Sequence, residues 1–144
     1  MKLKNLALLL LALCVVVCLG APASFAKPTA SFRIRADIDF DFYVGSKRLP
    51  KGEYNIESVN DSGLIRVTNV KKGKSATILT IRGKMTNKPK SKLGFRRYGE
   101  QYFLRKIWDG QNDILEIERS SAEKKAAKAA KGKEDSEGDE VDKG

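Results

Sequence analysis

The segment Phe32–Val44, with the sequence FRIRADIDFDFYV, alternates apolar and polar residues without a break. Every even position is apolar, and the odd positions carry two arginines, three aspartates and one tyrosine. This period of two predicts a β-strand with one buried face. Because strands usually span about 5–6 residues, we expect a bend near Ala36, so that the segment serves two sheets or a curved wall.

Short strands separated by turn residues are predicted along the rest of the domain. The turns LPKGEY, NDSG and KKGK lead into the strand sequences EYNIESV, LIRVTNV and SATILTI. The stretch KLGFRRYGEQYFLRKIW predicts a hairpin that turns at Gly99 and Glu100, and DILEIE predicts a last strand. Six to seven antiparallel strands predict an all-β fold, either a small antiparallel β-sandwich or a partly open β-barrel. Alternation fixes the faces of strands and not their order, so both architectures stay open.

The aromatic strand of that hairpin is apolar on both faces. With regular alternation, Tyr102, Leu104 and Trp108 share one face, and Phe103 and Ile107 share the other. This pattern indicates a central or barrel strand with little contact to water. Core packing is the favoured role of these aromatic residues, and a hydrophobic ligand pocket is the alternative.

The start of the chain predicts export. Residues 1–26 combine early lysines, the uncharged apolar run Leu6–Leu19 and small residues up to Ala26, which is the pattern of a cleaved signal peptide. We therefore expect a periplasmic or secreted protein with no transmembrane anchor after cleavage. Cys14 and Cys18 both lie in the signal, so the exported chain has no cysteine.

Composition divides the exported chain into two parts. Residues 27–118 form the predicted antiparallel β domain, with 19 basic and 11 acidic residues and hence a net charge of +8. Residues 119–144 form a low-complexity tail, rich first in alanine and lysine and then in acidic residues. Ser120 and Glu123 match a capping box, which predicts a short helix over 121–131, and the acidic end is expected to be disordered.

The aspartates Asp37, Asp39 and Asp41 are the weak candidates for a metal site. In a straight strand, alternate residues lie about 6.7 Å apart, which is too far for three carboxylates to share one calcium ion. The favoured interpretation is a solvated strand face. A catalytic carboxylate pair is the minor alternative, because such pairs usually come from different strands around a cleft.

Residue types that support catalysis are scarce in this chain. It has no histidine, and the predicted exported part has no cysteine, so histidine-based and thiol-based chemistry and their metal sites are absent. We expect no cofactor and no enzymatic activity. A carboxylate-dependent hydrolase is kept as the alternative.

Basic residues gather in the predicted loops and in the hairpin. The candidates for anion binding are Lys71, Lys72, Lys74, Lys84, Lys88, Lys90, Lys92, Arg96 and Arg97. In the hairpin they alternate with aromatic residues, a combination that holds polyanions on β surfaces. The expected partner is an anionic envelope component (lipid or glycan) or an acidic protein, and export argues against nucleic acid. The alternative is that these lysines bind no ligand and instead maintain solubility and protect sheet edges.

Two segments together, FDFYVGSKRLPKGEY (Phe40–Tyr54) and KLGFRRYGEQYFLRKIW (Lys92–Trp108), resemble a family of small exported bacterial all-β proteins. The resemblance implies export and a β fold. It implies no activity, because the matching residues look like turn and core positions. The sequence therefore predicts an exported, non-catalytic binding or structural module of the bacterial envelope. It also suggests that the acidic tail folds back and competes with an anionic partner.

Overall fold

The computed structural model describes residues 32–84, 90–111, 113–131 and 139–143. The predicted signal peptide with both cysteines, the candidate Lys88 and residues 132–138 of the tail lie outside the described residues. Within the described ranges, no helix is long and apolar enough to cross a membrane.

The described residues form two β-sheets and one helix, which confirms the all-β prediction; the strand pairs are antiparallel except for β2 with β9. The four-stranded sheet has the order β1-β4-β5-β6, and the seven-stranded sheet has the order β11-β8-β9-β10-β7, with β2 beside β9 and β3 beside β2. The strands are β1 (Arg33–Ile38), β2 (Phe42–Val44), β3 (Lys47–Leu49), β4 (Gly52–Ser58), β5 (Leu64–Asn69), β6 (Ser75–Leu79), β7 (Ile81–Lys84), β8 (Lys92–Tyr98), β9 (Gln101–Trp108), β10 (Asp113–Glu116) and β11 (Asp139–Lys143); the helix is α1 (Ser121–Lys131). Of the two architectures left open by the sequence, the structure is the sandwich and not a closed barrel.

The opening alternating segment serves both sheets, as expected, but its break lies later than Ala36. β1 ends at Ile38 and pairs with β4, whereas β2 begins at Phe42 and pairs in parallel with β9. Ala36 is buried in the middle of β1, opposite Tyr54. A similar switch at the buried Thr80 divides β6 from β7, and its hydroxyl donates to the Gly63 carbonyl at 2.7 Å. Such breaks give more strands than the six to seven expected.

The core fills the space between the inner faces of the two sheets. The Phe42 ring meets the rings of Tyr54 and Phe95 edge to face, at centroid distances of 5.0 and 5.5 Å. Phe40, at the break between β1 and β2, stacks on Tyr102 at 4.0 Å. These offset and edge-on contacts add to the stabilisation that burial of the rings provides.

A β-bulge at Arg105 changes the faces predicted for β9. Phe95 pairs with Leu104 and Gly94 pairs with Lys106, so Arg105 is an extra residue on β9. Ile107 consequently joins Leu104 in the core, and Trp108 packs over Gly94. The prediction that Trp108 shares a face with Leu104 is therefore wrong, because one extra residue reverses the alternation beyond it.

The helix predicted over residues 121–131 is confirmed, and it packs on the outer face of the seven-stranded sheet. The Ser120 hydroxyl accepts a hydrogen bond from the Glu123 amide at 3.1 Å and donates to the Gly45 carbonyl at 2.8 Å. Ser120 thus caps the helix and attaches its start to the turn between β2 and β3. Four alanines of the helix pack against aromatic residues of the sheet. The alanines are Ala122, Ala126, Ala127 and Ala130, and the aromatic residues are Tyr43, Tyr98 and Phe103.

Candidate anion-binding groove

An open groove lies between the β2–β3 hairpin and strand β6, where the two sheets meet at one side of the sandwich. Its volume is about 710 Å³. Val44, Ala76 and Ile78 supply apolar surface, and Ser46, Ser75 and Thr77 supply polar surface. We call this feature the seam groove. It combines an apolar floor with hydroxyl groups that can donate to a bound ligand.

The backbone of β6 is oriented towards the seam groove at alternate residues. The Asn69 amide donates to the Lys74 carbonyl at 2.8 Å, and the Thr80 amide donates to the Gly63 carbonyl at 3.0 Å. Even-numbered residues of β6 therefore bond to β5, and the backbone groups of odd-numbered residues point the other way. Accordingly, the Ser75 carbonyl accepts a hydrogen bond from Lys47 Nζ at 2.5 Å across the groove. Thr77, the next odd residue, directs its backbone amide and carbonyl to the same side.

Three lysines lie in the turn that leads into the groove strand β6. Lys71, Lys72 and Lys74 are exposed in the turn between β5 and β6, and Lys74 directly precedes Ser75. The turn is held by the Asn69 side chain, whose Oδ1 accepts the Lys71 and Lys72 amides at 3.1 and 2.7 Å. Asn69 itself is buried. The lysines therefore extend from a braced turn rather than from an unrestrained loop.

The nine predicted basic residues are not gathered in one place. Lys71, Lys72 and Lys74 lie in the turn that joins two strands of the four-stranded sheet, whereas Lys92, Arg96 and Arg97 lie in β8 of the seven-stranded sheet. Lys92 Nζ lies 4.2 Å from the centre of the Trp108 ring. Lys90 is exposed just before β8. Lys84 is in β7, but its side chain, like Lys88, lies outside what the structure describes.

Lys47 is the functional candidate that the sequence pattern does not reveal. It lies 28 residues from Ser75, and the two meet only because β3 and β6 are brought to the same side of the sandwich. Its one available signal is a lysine next to a turn, which is common on strand edges.

The three candidate aspartates occupy different local settings. Asp37 is in β1, opposite Glu53, and Asp39 lies in the break before β2. Asp41 Oδ1 accepts the Lys51 amide at 2.9 Å, and its Oδ2 accepts from Arg48 at 3.0 Å. Asp41 thereby fixes the turn between β3 and β4. Across the ranges that the structure covers, no group of three His, Cys, Asp or Glu side chains could hold a metal ion.

A buried carboxylate, Glu123 of α1, lies on the outer face of the seven-stranded sheet. It is 1% exposed and accepts hydrogen bonds from Arg105 Nη1 at 2.9 Å and from the Tyr98 hydroxyl at 3.2 Å. Burial raises the pKa of the Tyr98 hydroxyl, and the negative charge of Glu123 raises it further. This network is enclosed beneath the helix, which suits it to holding the helix in place.

No protein-family model matches the chain, and neither do the curated proteins or the solved structures. The resemblance to small exported bacterial proteins therefore stays a prediction.

Proposed function

We propose that the chain is an exported, non-catalytic binding module of the bacterial envelope, and that its seam groove binds an extended anionic ligand. The main support is that Lys47 reaches Ser75 across the open groove and that the outward backbone of β6 lines it. The Lys71–Lys74 turn leads directly into β6. An open groove suits a chain-like ligand, such as an anionic glycan, better than it suits a small enclosed molecule.

The charge of the domain supports an anionic ligand. Residues 27–118 carry a net charge of +8, which raises the local concentration of anions and speeds their association. Hydroxyls and the backbone amide of Thr77 add donors that a surface lysine alone lacks. The groove thus provides both attraction at long range and directed contacts at short range.

The test compares two lysines that have the same charge and different positions. The exported chain and its Lys47→Glu and Lys90→Glu variants are measured for binding to heparin and to phosphatidylglycerol vesicles at low and high salt. Lys90 lies beside Ser91, whose hydroxyl donates to the Asp109 carbonyl at the opposite end of β8 from the hairpin turn. Circular dichroism checks that both variants fold.

We expect Lys47→Glu to weaken heparin binding about tenfold, which corresponds to about 1.4 kcal/mol. Lys90→Glu changes the net charge equally and should cost clearly less. Equal losses in the two variants would point to unspecific attraction by net charge. Binding that is confined to vesicles would favour a lipid headgroup over a glycan, and no binding to either at low salt would refute an anion-binding function.

A further inference from the structure

The other side of the sandwich is closed by the chain's own C-terminal strand. β11 pairs antiparallel with β8, and the paired residues of β8 are Leu93 to Arg97. On its other side, β8 pairs with β9. Without β11, β8 would be an edge strand with a row of unpaired backbone donors and acceptors, which is the surface to which extended peptides add.

The composition of β11 makes it a replaceable occupant. Its sequence, DEVDK, contains three acidic residues, one lysine and a single apolar residue. Aspartate, glutamate and lysine are depleted in strands, and short terminal elements open at a low free-energy cost. By contrast, β8 contributes Leu93 and Phe95 to the core, and both are fully buried. The edge is therefore stable while the strand that covers it is weak.

The register of β11 indicates which segment the edge accepts. Asp139 lies opposite Arg97, Glu140 opposite Arg96 and Val141 opposite Phe95. In antiparallel sheets, residues of opposite charge at directly opposite positions make favourable pairs. The edge of β8 thus favours two acidic residues followed by an apolar residue.

We propose that the edge of β8 is a strand-addition site for an extended acidic segment of a partner protein, and that β11 occupies this site until the partner displaces it. The seam groove lies at the other side of the sandwich, so this site does not depend on the proposed function. The partner segment resembles β11 in charge, and it gains affinity where it offers more β-branched residues than β11 does.

The test uses the full exported chain and a labelled peptide with the sequence of residues 136–144, SEGDEVDKG. Binding is followed by fluorescence anisotropy for the wild type, for Val141→Pro and for Ser136→Pro. Proline removes a backbone donor from a paired strand, so Val141→Pro weakens β11, whereas Ser136 precedes Asp139, the first residue of β11, by three positions in the sequence. If β11 is paired in about nine of ten molecules, releasing it raises the apparent peptide affinity about tenfold.

A charge exchange then tests the register. We expect a peptide with lysines at the positions of Asp139 and Glu140 to bind Val141→Pro less well than SEGDEVDKG does. Binding of the lysine peptide should recover when Arg96→Glu and Arg97→Glu are added to Val141→Pro. Unchanged affinity after the exchange would overturn the assigned register and the acidic partner.

Three further outcomes decide the proposal. Equal peptide affinity for the wild type and Val141→Pro would overturn the strand-addition site. A concentration-dependent dimer in analytical ultracentrifugation, without peptide binding, would show that two copies exchange β11 and would overturn the separate partner. If Val141→Pro fails to fold, excess peptide is added to the wild type: hydrogen exchange should accelerate in β11 and stay slow in Leu93–Arg97, and no change would refute displacement.

Discussion

The outer faces of the two sheets use the same ion pair in different surroundings. On the four-stranded sheet, Arg33 and Glu57 are 2.9 Å apart, with side chains 67% and 23% exposed. On the seven-stranded sheet, Arg105 and Glu123 are also 2.9 Å apart, with side chains 23% and 2% exposed. Exposed pairs contribute about 0–1 kcal/mol, whereas breaking a buried pair costs about 3–5 kcal/mol. Burial, not distance, decides what each pair contributes.

The difference follows from what covers each face. Arg33, Arg35 and Arg66 lie beside Glu53 and Glu57 of β4, and water reaches this group of charges. The face of the seven-stranded sheet instead carries Tyr98 and Phe103, which require a cover, and α1 supplies it. The first face needs charges for solubility and register. On the seven-stranded sheet, α1 brings the Glu123 carboxylate onto the covered face, and Arg105 neutralises that buried charge.

The largest effect in this comparison is expected from Arg105→Ala. The substitution leaves the Glu123 carboxylate beneath α1 without its ion-pair partner, and it also removes the bond from Arg105 Nε to the Ile117 carbonyl at 2.7 Å. We expect the free energy of unfolding to fall by about 3 kcal/mol. Urea denaturation monitored by circular dichroism measures this loss.

Arg33→Ala is the matched control, because it removes the arginine of an ion pair of equal length. Its expected cost is at most about 1 kcal/mol. Similar losses in the two variants would mean that the enclosure of Glu123 contributes nothing, and the contrast between the faces would not hold.

The sequence predicts the elements of this comparison better than their contacts. The length of the alternating segment Phe32–Val44 predicts a bend that serves two sheets or a curved wall, and the structure shows two sheets. The Ser120–Glu123 spacing correctly predicts where α1 begins. The burial of Glu123 could not be predicted, because its partners Arg105 and Tyr98 are 18 and 25 residues away. The bulge that directs Arg105 to them depends on the register with β8, which single-strand periodicity does not contain.

The same limit applies to the seam groove. The lysines of the β5–β6 turn are visible in the sequence as a cluster around Gly73. Lys47 is not, because its contact with Ser75 arises from strand order, and alternation leaves strand order open. The local sequence pattern thus predicts which residues are exposed to solvent, and the order of the strands decides which exposed residues come into contact.

An intermediate effect is expected at alkaline pH, on the covered face. Burial and the charge of Glu123 raise the pKa of Tyr98, while tyrosine in the unfolded chain has a pKa of about 10. The unfolded state therefore loses its proton first, and the free energy of unfolding falls as the pH rises above about 10. Tyr98→Phe should make this fall shallower, as measured by urea denaturation across alkaline pH. Tyr54, whose pKa burial also raises, keeps the remaining slope, and an unchanged slope in Tyr98→Phe would contradict the prediction.

The smallest effect is expected at acidic pH, on the exposed face. A hydrogen bond from Arg35 lowers the pKa of Glu53. The unfolded state therefore binds a proton first as the pH falls, so the stability that Glu53 contributes is present above its ordinary pKa of about 4.3 and is lost below it. Glu53→Gln should slightly reduce the slope of the unfolding free energy against pH in the acid range, and Arg35→Gln should give the same reduction. The variant with both substitutions should show no further reduction.

Salt should weaken the contribution of the Arg35–Glu53 pair, because water reaches both groups, and should affect the Arg105–Glu123 pair much less. A salt dependence that is equal on the two faces would show that α1 does not shield Glu123 from solvent.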